Sequence, residues 1–340
     1  MSNPKPTLID IAKAAGVGVA TVDRVINKRA PVREPTRQRV YKAASELGMT
    51  IKNFDSPLKT APTNGQKKIA IVLQRHNPPF YQTVTDALTA AAGQLPARIV
   101  EIDGMQPEEV ASTLLTLGDS VEAIGVVAAD HPLVSQAIEQ LSRRGVQVFG
   151  FMSELTASHR AGYVGIDNRR AGRTAGWAIA HLCRRPGKVA TLMGDHRLLC
   201  QEYSEIGLRS YLREYSNDFE VLEPILSLES PDRAWQATHE LLAKHADIVG
   251  LYVNSGCVEG VIRALRETGR HREIVTVCHE VTDDTRAALI DNVVQVVVAH
   301  PLAETARTLI NALSGSDANE HPGTSHQWIV PVSVLTAENI

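Results

Sequence analysis

TLIDIAKAAGVGVATVDRVIN, residues 7–27, is the stretch that decides the N-terminal fold. Thr7 can cap a helix over Leu8 to Ala15, because its hydroxyl can accept an otherwise unpaired backbone N–H. Leu8, Ile11, Ala12 and Ala15 recur at helical spacing and form one apolar face. Gly16 suits a residue that leaves a helix at positive φ. A second helix is expected from about Val19 to Asn27, with Val22, Val25 and Ile26 as its buried stripe. A third runs from Glu34 to Leu47 and stops at Gly48. Two helices joined by a three- or four-residue turn, with a third supporting them, form a helix-turn-helix.

Charge points the same way. The 340 residues carry a net charge of −3, unevenly spread. Residues 1–60 hold eleven Lys/Arg against five Asp/Glu, so the rest of the chain is acidic. A basic segment on an acidic body implies a polyanionic partner at one end only. If the second helix enters a DNA major groove, Val19, Ala20 and Arg24 face base edges. Arg24 suits a bidentate contact to guanine, and Val19 and Ala20 offer apolar contact only. Thr21, Asn27, Arg33, Thr36 and Arg37 suit phosphates.

The run TLIDIAKAAGVGVATVDRVINKRAPVREPTRQRV resembles the DNA-binding headpiece of the lactose-repressor (LacI/GalR) family. The matching elements are D-I-A-x-x-A-G-V, T-V-x-R-V-I-N and V-x-x-x-T-R-x-x-V. Gly18 replaces the family's usual Ser before the second helix, and Asp23 replaces a common Ser before Arg24. With Thr7, the residues above make up the DNA-facing set that the resemblance implies.

Residues 51–66, IKNFDSPLKTAPTNGQ, lack periodicity and carry Pro57, Pro62 and Gly65, which reads as a linker. The family often folds this stretch into a hinge helix whose Leu wedges into the minor groove. Leu58 is the candidate wedge. Pro57 and the missing Ala/Arg-rich pattern leave a plain linker equally open.

From Lys67 onward, short apolar runs such as KKIAIVLQ, AIGVVAA, VQVFGF and IVGLYVN alternate with helical patterns. That alternation marks parallel sheets covered on both faces, in two doubly wound lobes. The expected class is therefore α/β, with an all-α headpiece at 1–50, a linker at 51–66 and a two-lobed body at 67–340. The N-lobe is expected over about 67–165 and 298–326, and the C-lobe over about 166–297 and 327–340. The C-terminal run QWIVPVSVLTAENI is read as completing the C-lobe.

This body resembles the type I periplasmic sugar-binding proteins, the body that the LacI/GalR resemblance implies. The marks are Asn77–Tyr81 after the first strand, Gly165–Asn168 at a crossover, Val253-Asn254, Glu280–Asp283 and Ala299-His300-Pro301. The resemblance implies an effector site of Asn77, Phe80, Tyr81, Arg197, Glu202, Asn254, His279 and His300. Histidines stand at 279 and 300 where the family usually has Asp and Gln. Phe151, Met152 and Ser153 occupy the place of another common carboxylate. Two histidines and an arginine facing a cleft would favour an acidic or phosphorylated sugar derivative. Neutral histidines around an uncharged sugar or polyol are the alternative.

The four cysteines, Cys183, Cys200, Cys257 and Cys278, form no CxxC pair and are expected as reduced thiols. Cys278-His279-Glu280 looks reactive, but no P-loop, nucleophile elbow or HExxH motif accompanies it. No enzyme activity, metal or cofactor is expected. The opening MSNPKPTLID has no apolar core of a signal peptide, so a cytoplasmic location is expected. The reading is a homodimeric, effector-controlled DNA-binding repressor on a pseudo-palindromic operator. An effector-independent DNA binder is the rival.

Overall fold

The computed structural model describes residues 7–26, 36, 39–40, 43–44, 67–75, 78–315 and 326–340. Asn27, Arg33, Arg37, Leu58 and Asn77 lie outside the described residues, as does the linker at 51–66. Two compact units divide the chain near Ser56.

In the first unit, α1 spans Leu8–Ala15. Thr7 starts it with a capping box: its hydroxyl accepts from the Asp10 amide, and Asp10 accepts from the Thr7 amide at 2.8 Å. Gly16 ends it at φ 63°. Helix α2 spans Val19–Ile26. The Gly18 carbonyl accepts from the amides of Thr21 and Val22, and glycine brings no side-chain cap. Ile11, Ala12, Ala15, Val22 and Val25 bury against Val40, Ala43 and Ala44, which stand at helical positions.

The second unit holds two sheets. The first contains β1 (Ile69–Arg75), β2 (Ala97–Asp103), β3 (Ala123–Val127), β4 (Gln147–Phe151), β5 (Gly162–Gly165) and β12 (His326–Ile329), in the order β12-β5-β4-β3-β1-β2. All its pairings are parallel. Alternation along β1 shows why it is double-sided. Ile69, Ile71 and Leu73 pack under α3 (Pro78–Ala92) and α11 (Leu302–Ser314). Ala70 and Val72 pack under α4 (Pro107–Leu117) and α5 (Pro132–Arg143). Successive strand side chains point to opposite faces, so both faces are dry.

The second sheet runs β13-β11-β10-β9-β6-β7, with β8 (Ile225–Leu226) also on β6. Its strands are β6 (Gly187–Met193), β7 (Phe219–Val221), β9 (Ile248–Val253), β10 (Val275–His279), β11 (Val296–Ala299) and β13 (Ser333–Leu335). Helices α6 (Asn168–Leu182) and α7 (Leu199–Tyr215) cover one face. Helices α8 (Pro231–Lys244), α9 (Val258–Thr268) and α10 (Asp283–Ile290) cover the other. Gly172 of α6 lets α7 approach closely, because a Cβ there would stand 1.8 Å from the Ser204 carbonyl oxygen. That contact sets the start of α7, where Cys200, Gln201 and Ser204 lie.

The lobe boundaries differ from the expected ones. Residues 327–340 do not all belong to the C-lobe. Strand β12 pairs in parallel with β5, from His326 with Gly162 to Ile329 with Gly165. Trp328 packs on Phe149, with ring centroids 5.7 Å apart. Only β13 joins the second sheet, antiparallel to β11. Pro331, which has no N–H for a ladder, separates the two strands. The return to the N-lobe also comes later than 298. All of β11 stays in the second sheet, and the chain leaves it at His300-Pro301. The lobes are thus joined at Ile166-Asp167, His300-Pro301 and 330–332.

Candidate functional site

A cavity opens between the two lobes, with an empty volume of about 770 Å³ including its mouth. Its walls come from the carboxyl ends of strands, where open α/β sheets bind ligands. The N-lobe supplies Phe80 and Tyr81 from the first turn of α3, Val127 at the end of β3, and Met152 and Ser153 after β4. The C-lobe supplies Leu198, Cys200, Gln201 and Ser204 around the start of α7, Asn254 to Gly256 after β9, and His279, Glu280 and Thr282 after β10. Asn168 and His300 stand beside two of the crossovers.

The lobes meet across this cleft. The Asp130 amide donates to the Arg197 carbonyl at 2.7 Å, and the Cys200 amide donates to Ser153 Oγ at 3.3 Å. Two wall residues, Met152 at φ 59° and Glu280 at φ 64°, hold left-handed backbone without being glycine. Such strain persists only where the surroundings over-determine it, and it gathers at functional sites.

Phe80 and Tyr81 pack edge to face, with centroids 5.5 Å apart. His279 Nε2 lies 2.6 Å from the Tyr252 hydroxyl. Burial holds the imidazole pKa down to about 4, against the opposing pull of Glu280, so His279 is neutral near pH 7. Glu280 grips His300 twice: Oε1 lies 2.5 Å from Nδ1, and Oε2 accepts from the backbone amide at 3.2 Å. A carboxylate only accepts, so Nδ1 carries a hydrogen toward Glu280. That Nε2 is buried and has no hydrogen-bond partner.

Asn254 repeats the pattern. Its Nδ2 donates to the Gln201 carbonyl at 2.8 Å, which fixes the amide and leaves Oδ1 buried without a partner. Behind it, Gln201 Oε1 accepts from the amides of Gly194 and Asp195, and Gln201 Nε2 donates to Glu229 at 2.6 Å. Glu229 also accepts from the Gly256 amide at 2.9 Å. Burial pushes the Glu229 pKa up, against these hydrogen bonds. One carboxyl therefore ties together three loops of the C-lobe wall. Both Asn254 and His300 belong to the cavity lining, and an unsatisfied buried polar group costs about 1–3 kcal/mol.

Five of the expected effector residues come together here: Phe80, Tyr81, Asn254, His279 and His300. Arg197 and Glu202 do not. Arg197 is half exposed and turns back onto Asp195, with Nη2 2.7 Å from Oδ2. A carboxylate two residues away on the same loop captures the guanidinium. Glu202 points to His196, at 2.6 Å. The cleft thus lacks the arginine that the resemblance placed in it. Sequence reasoning passed over Glu280 as a ligand-wall residue. Its signal was its place directly after His279 at a strand end.

The reactive look of Cys278 also dissolves. Its thiol is fully buried, and that burial raises its pKa well above the ordinary thiol value, so it is neither reachable nor ionised.

In the headpiece, Val19, Ala20 and Arg24 are exposed on α2, opposite the buried Val22 and Val25. Thr21 and Thr36 are half-buried. The Thr7 hydroxyl is engaged with Asp10. Among the described residues, no helix is long and apolar enough to cross a membrane.

Residues 7–50 match the bacterial regulatory proteins of the lacI family, and residues 69–315 match the periplasmic binding protein domain. The chain belongs to the LacI family. It is a DNA-binding transcriptional regulator, not an enzyme. This LacI-family regulator is 26% identical to the HTH-type transcriptional regulator CelR of Thermobifida fusca over 278 residues, covering 78% of each chain. It is 26% identical to the maltose regulon regulatory protein MalI of Escherichia coli over 352 residues, covering 98% of each. Its body shares the fold of an ABC transporter solute binding protein from Agrobacterium vitis solved with bound D-fucose. The TM-score is 0.72 at 20% identity, covering 80% of this chain and 96% of that one.

Proposed function

We propose that this LacI-family regulator is a cytoplasmic homodimeric repressor whose grip on a pseudo-palindromic operator is set by a sugar or sugar derivative between the lobes. One observation carries the reading. An inter-lobe cavity lined by Asn254 and His300, each with a buried polar atom that has no partner, stands in a chain that also bears a helix-turn-helix. The names of relatives that act on sugar regulons, and the sugar bound in a fold neighbour, support the ligand class.

On DNA, Val19, Ala20 and Arg24 read bases. Thr21, Asn27, Arg33, Thr36 and Arg37 hold phosphates, with Thr7 capping α1 and Leu58 as the minor-groove wedge. Two-fold symmetry of the dimer would be mirrored in the two half-sites. A ligand that binds one lobe arrangement better than the other shifts their populations, and with them the operator affinity.

The test uses the full chain and an operator selected from random duplexes. Sedimentation should report a dimer, and a bound sugar should change operator affinity at least fivefold. Operator affinity indifferent to every sugar, with no shift in melting, would make this an effector-independent DNA binder.

A further inference from the structure

We infer that the first lobe crossover carries a proton switch: closing the lobes buries Glu154 and binds a proton there, so low pH favours the closed arrangement and high pH opens it. The switch acts on the hinge itself and is independent of which ligand the cavity takes.

Glu154 spans the lobe boundary. It belongs to the N-lobe loop after β4, yet its Oε2 accepts from Nδ2 of Asn168, the first residue of α6 in the C-lobe, at 2.9 Å. The same Nδ2 donates to the Tyr163 hydroxyl of β5 at 3.1 Å, and Ser204 of α7 donates to the Asn168 carbonyl at 3.0 Å. Tyr163 in turn donates to the Ile166 carbonyl at 2.8 Å. The backbone that bends when the lobes rotate, Ile166-Asp167, lies inside this knot. Rotation there moves Asn168 relative to Glu154.

A route for water lies next to the carboxyl. A recess of about 550 Å³, mouth included, straddles the boundary. Glu154, Gln327 and Ile329 line it from the N-lobe, Arg169 and Tyr203 from the C-lobe, and Asp167 from the crossover. Because both lobes form its walls, opening widens it and wets Glu154.

The surrounding groups set the sign. Asp167 opposes a second negative charge, whereas His300 at the next crossover favours it. Tyr163 of β5 and Cys200 of α7 also face Glu154, whose charge would oppose their ionisation. Arg169 is exposed on the recess wall, and no Lys or Arg pairs with Glu154 among the described residues. Burial beside another carboxylate, with one side-chain donor, disfavours the charged form and lifts the pKa to about 7. Water in the opened hinge returns it toward 4.5. Closure thus takes up a proton between those values, and its advantage is lost as pH rises through 7. From pH 6 to pH 8 the closed-to-open ratio should fall about tenfold.

The test is amide hydrogen exchange on the full-length, ligand-free protein. The Asp130 and Cys200 amides donate across the cleft, to the Arg197 carbonyl and to Ser153 Oγ, so their protection reports closure. Corrected for intrinsic exchange rates, it should fall about tenfold from pH 6 to pH 8, while the Val72 amide in the first sheet keeps its protection. Glu154→Gln cannot ionise and should hold both amides within about twofold over that range. Asp167→Asn keeps a capping side chain but removes the neighbouring charge, so the midpoint should move to lower pH. That variant carries the test if Glu154→Gln does not fold. Flat protection in the parent overturns the inference. So does a Glu154→Gln variant that follows the parent, or a midpoint unmoved by Asp167→Asn. Neither sugar nor DNA enters the measurement, so its failure is distinct from a failure of the sugar-controlled reading.

Discussion

Glu280 and His300 are locked together at the ends of neighbouring C-lobe strands, beside a lobe crossover, with Oε1 2.5 Å from Nδ1 and Oε2 receiving the backbone amide. The carboxylate takes the Nδ1 hydrogen and the backbone amide together, which fixes the ring of a residue that lines the cavity. Replacing Glu280 with Gln removes the charged acceptor that holds the imidazole in place. Glu280→Gln is therefore expected to weaken binding of a neutral sugar about tenfold, read by calorimetry near pH 7. Equal affinities would mean that the placement of the His300 ring does not matter.

Arg197 gives the opposite expectation. Its guanidinium is bound to Asp195, and only its backbone carbonyl reaches the other lobe. Arg197→Ala should leave ligand affinity within about twofold of the parent, since a half-exposed ion pair contributes about 0–1 kcal/mol. A loss of tenfold or more would return the arginine to the ligand.

Glu154 sits beside the first crossover and accepts from Asn168 Nδ2 at 2.9 Å. Burial raises its pKa from 4.5 to about 7, against the hydrogen bonds and His300, and with some help from Asp167. The native state therefore holds this proton more tightly than the unfolded chain does. Its contribution is full below about pH 4.5 and fades as pH rises through 7. The cost at pH 8 is on the order of 3 kcal/mol or less, at 1.36 kcal/mol per pKa unit. Glu154→Gln should melt higher than the parent at pH 8, and the difference should shrink toward pH 5. A constant difference across that range would rule out the titration.

Arg24 is exposed on α2 beside Val19 and Ala20. A bidentate base contact is worth about 1–3 kcal/mol of discrimination. Arg24→Ala should lower specific operator affinity by roughly 5- to 150-fold, the equivalent of that energy, while binding to random DNA at the same salt changes little. Parallel losses on both duplexes would make Arg24 a phosphate contact only.

Gly172 allows the backbones of α6 and α7 to touch. Alanine is the better helix former by about 1 kcal/mol, yet its Cβ would stand 1.8 Å from a carbonyl oxygen. Gly172→Ala should cost about 1–3 kcal/mol by forcing the helices apart. Because α7 carries Gln201, ligand affinity should fall with it. A variant more stable than the parent would show that the helices separate freely.

Much of this was legible in the residues alone, because it rests on short-range rules. The capping box, the Gly16 stop and the Val22/Val25 stripe follow from neighbours three or four residues apart. So do the apolar strands, whose i, i+2 alternation separates Ile71 from Val72. The family motifs, too, are local strings. Lobe membership at the C-terminus was not legible. QWIVPVSV looks like one strand, and only its partners, Gly162–Gly165 and Val297–Ala299, assign its halves to different sheets.

The cavity's chemistry was decided later still. The sequence by itself determined that a DNA reader is joined to a two-lobed body, and that histidines stand at 279 and 300. Only the tertiary structure turned Arg197 onto Asp195, brought Glu280 to His300 across 20 residues, and placed Tyr252 against His279. The reason is physical: charge, tautomer and hydrogen-bond demand depend on which groups become neighbours away from water. Those neighbours come from strand ends far apart in the chain.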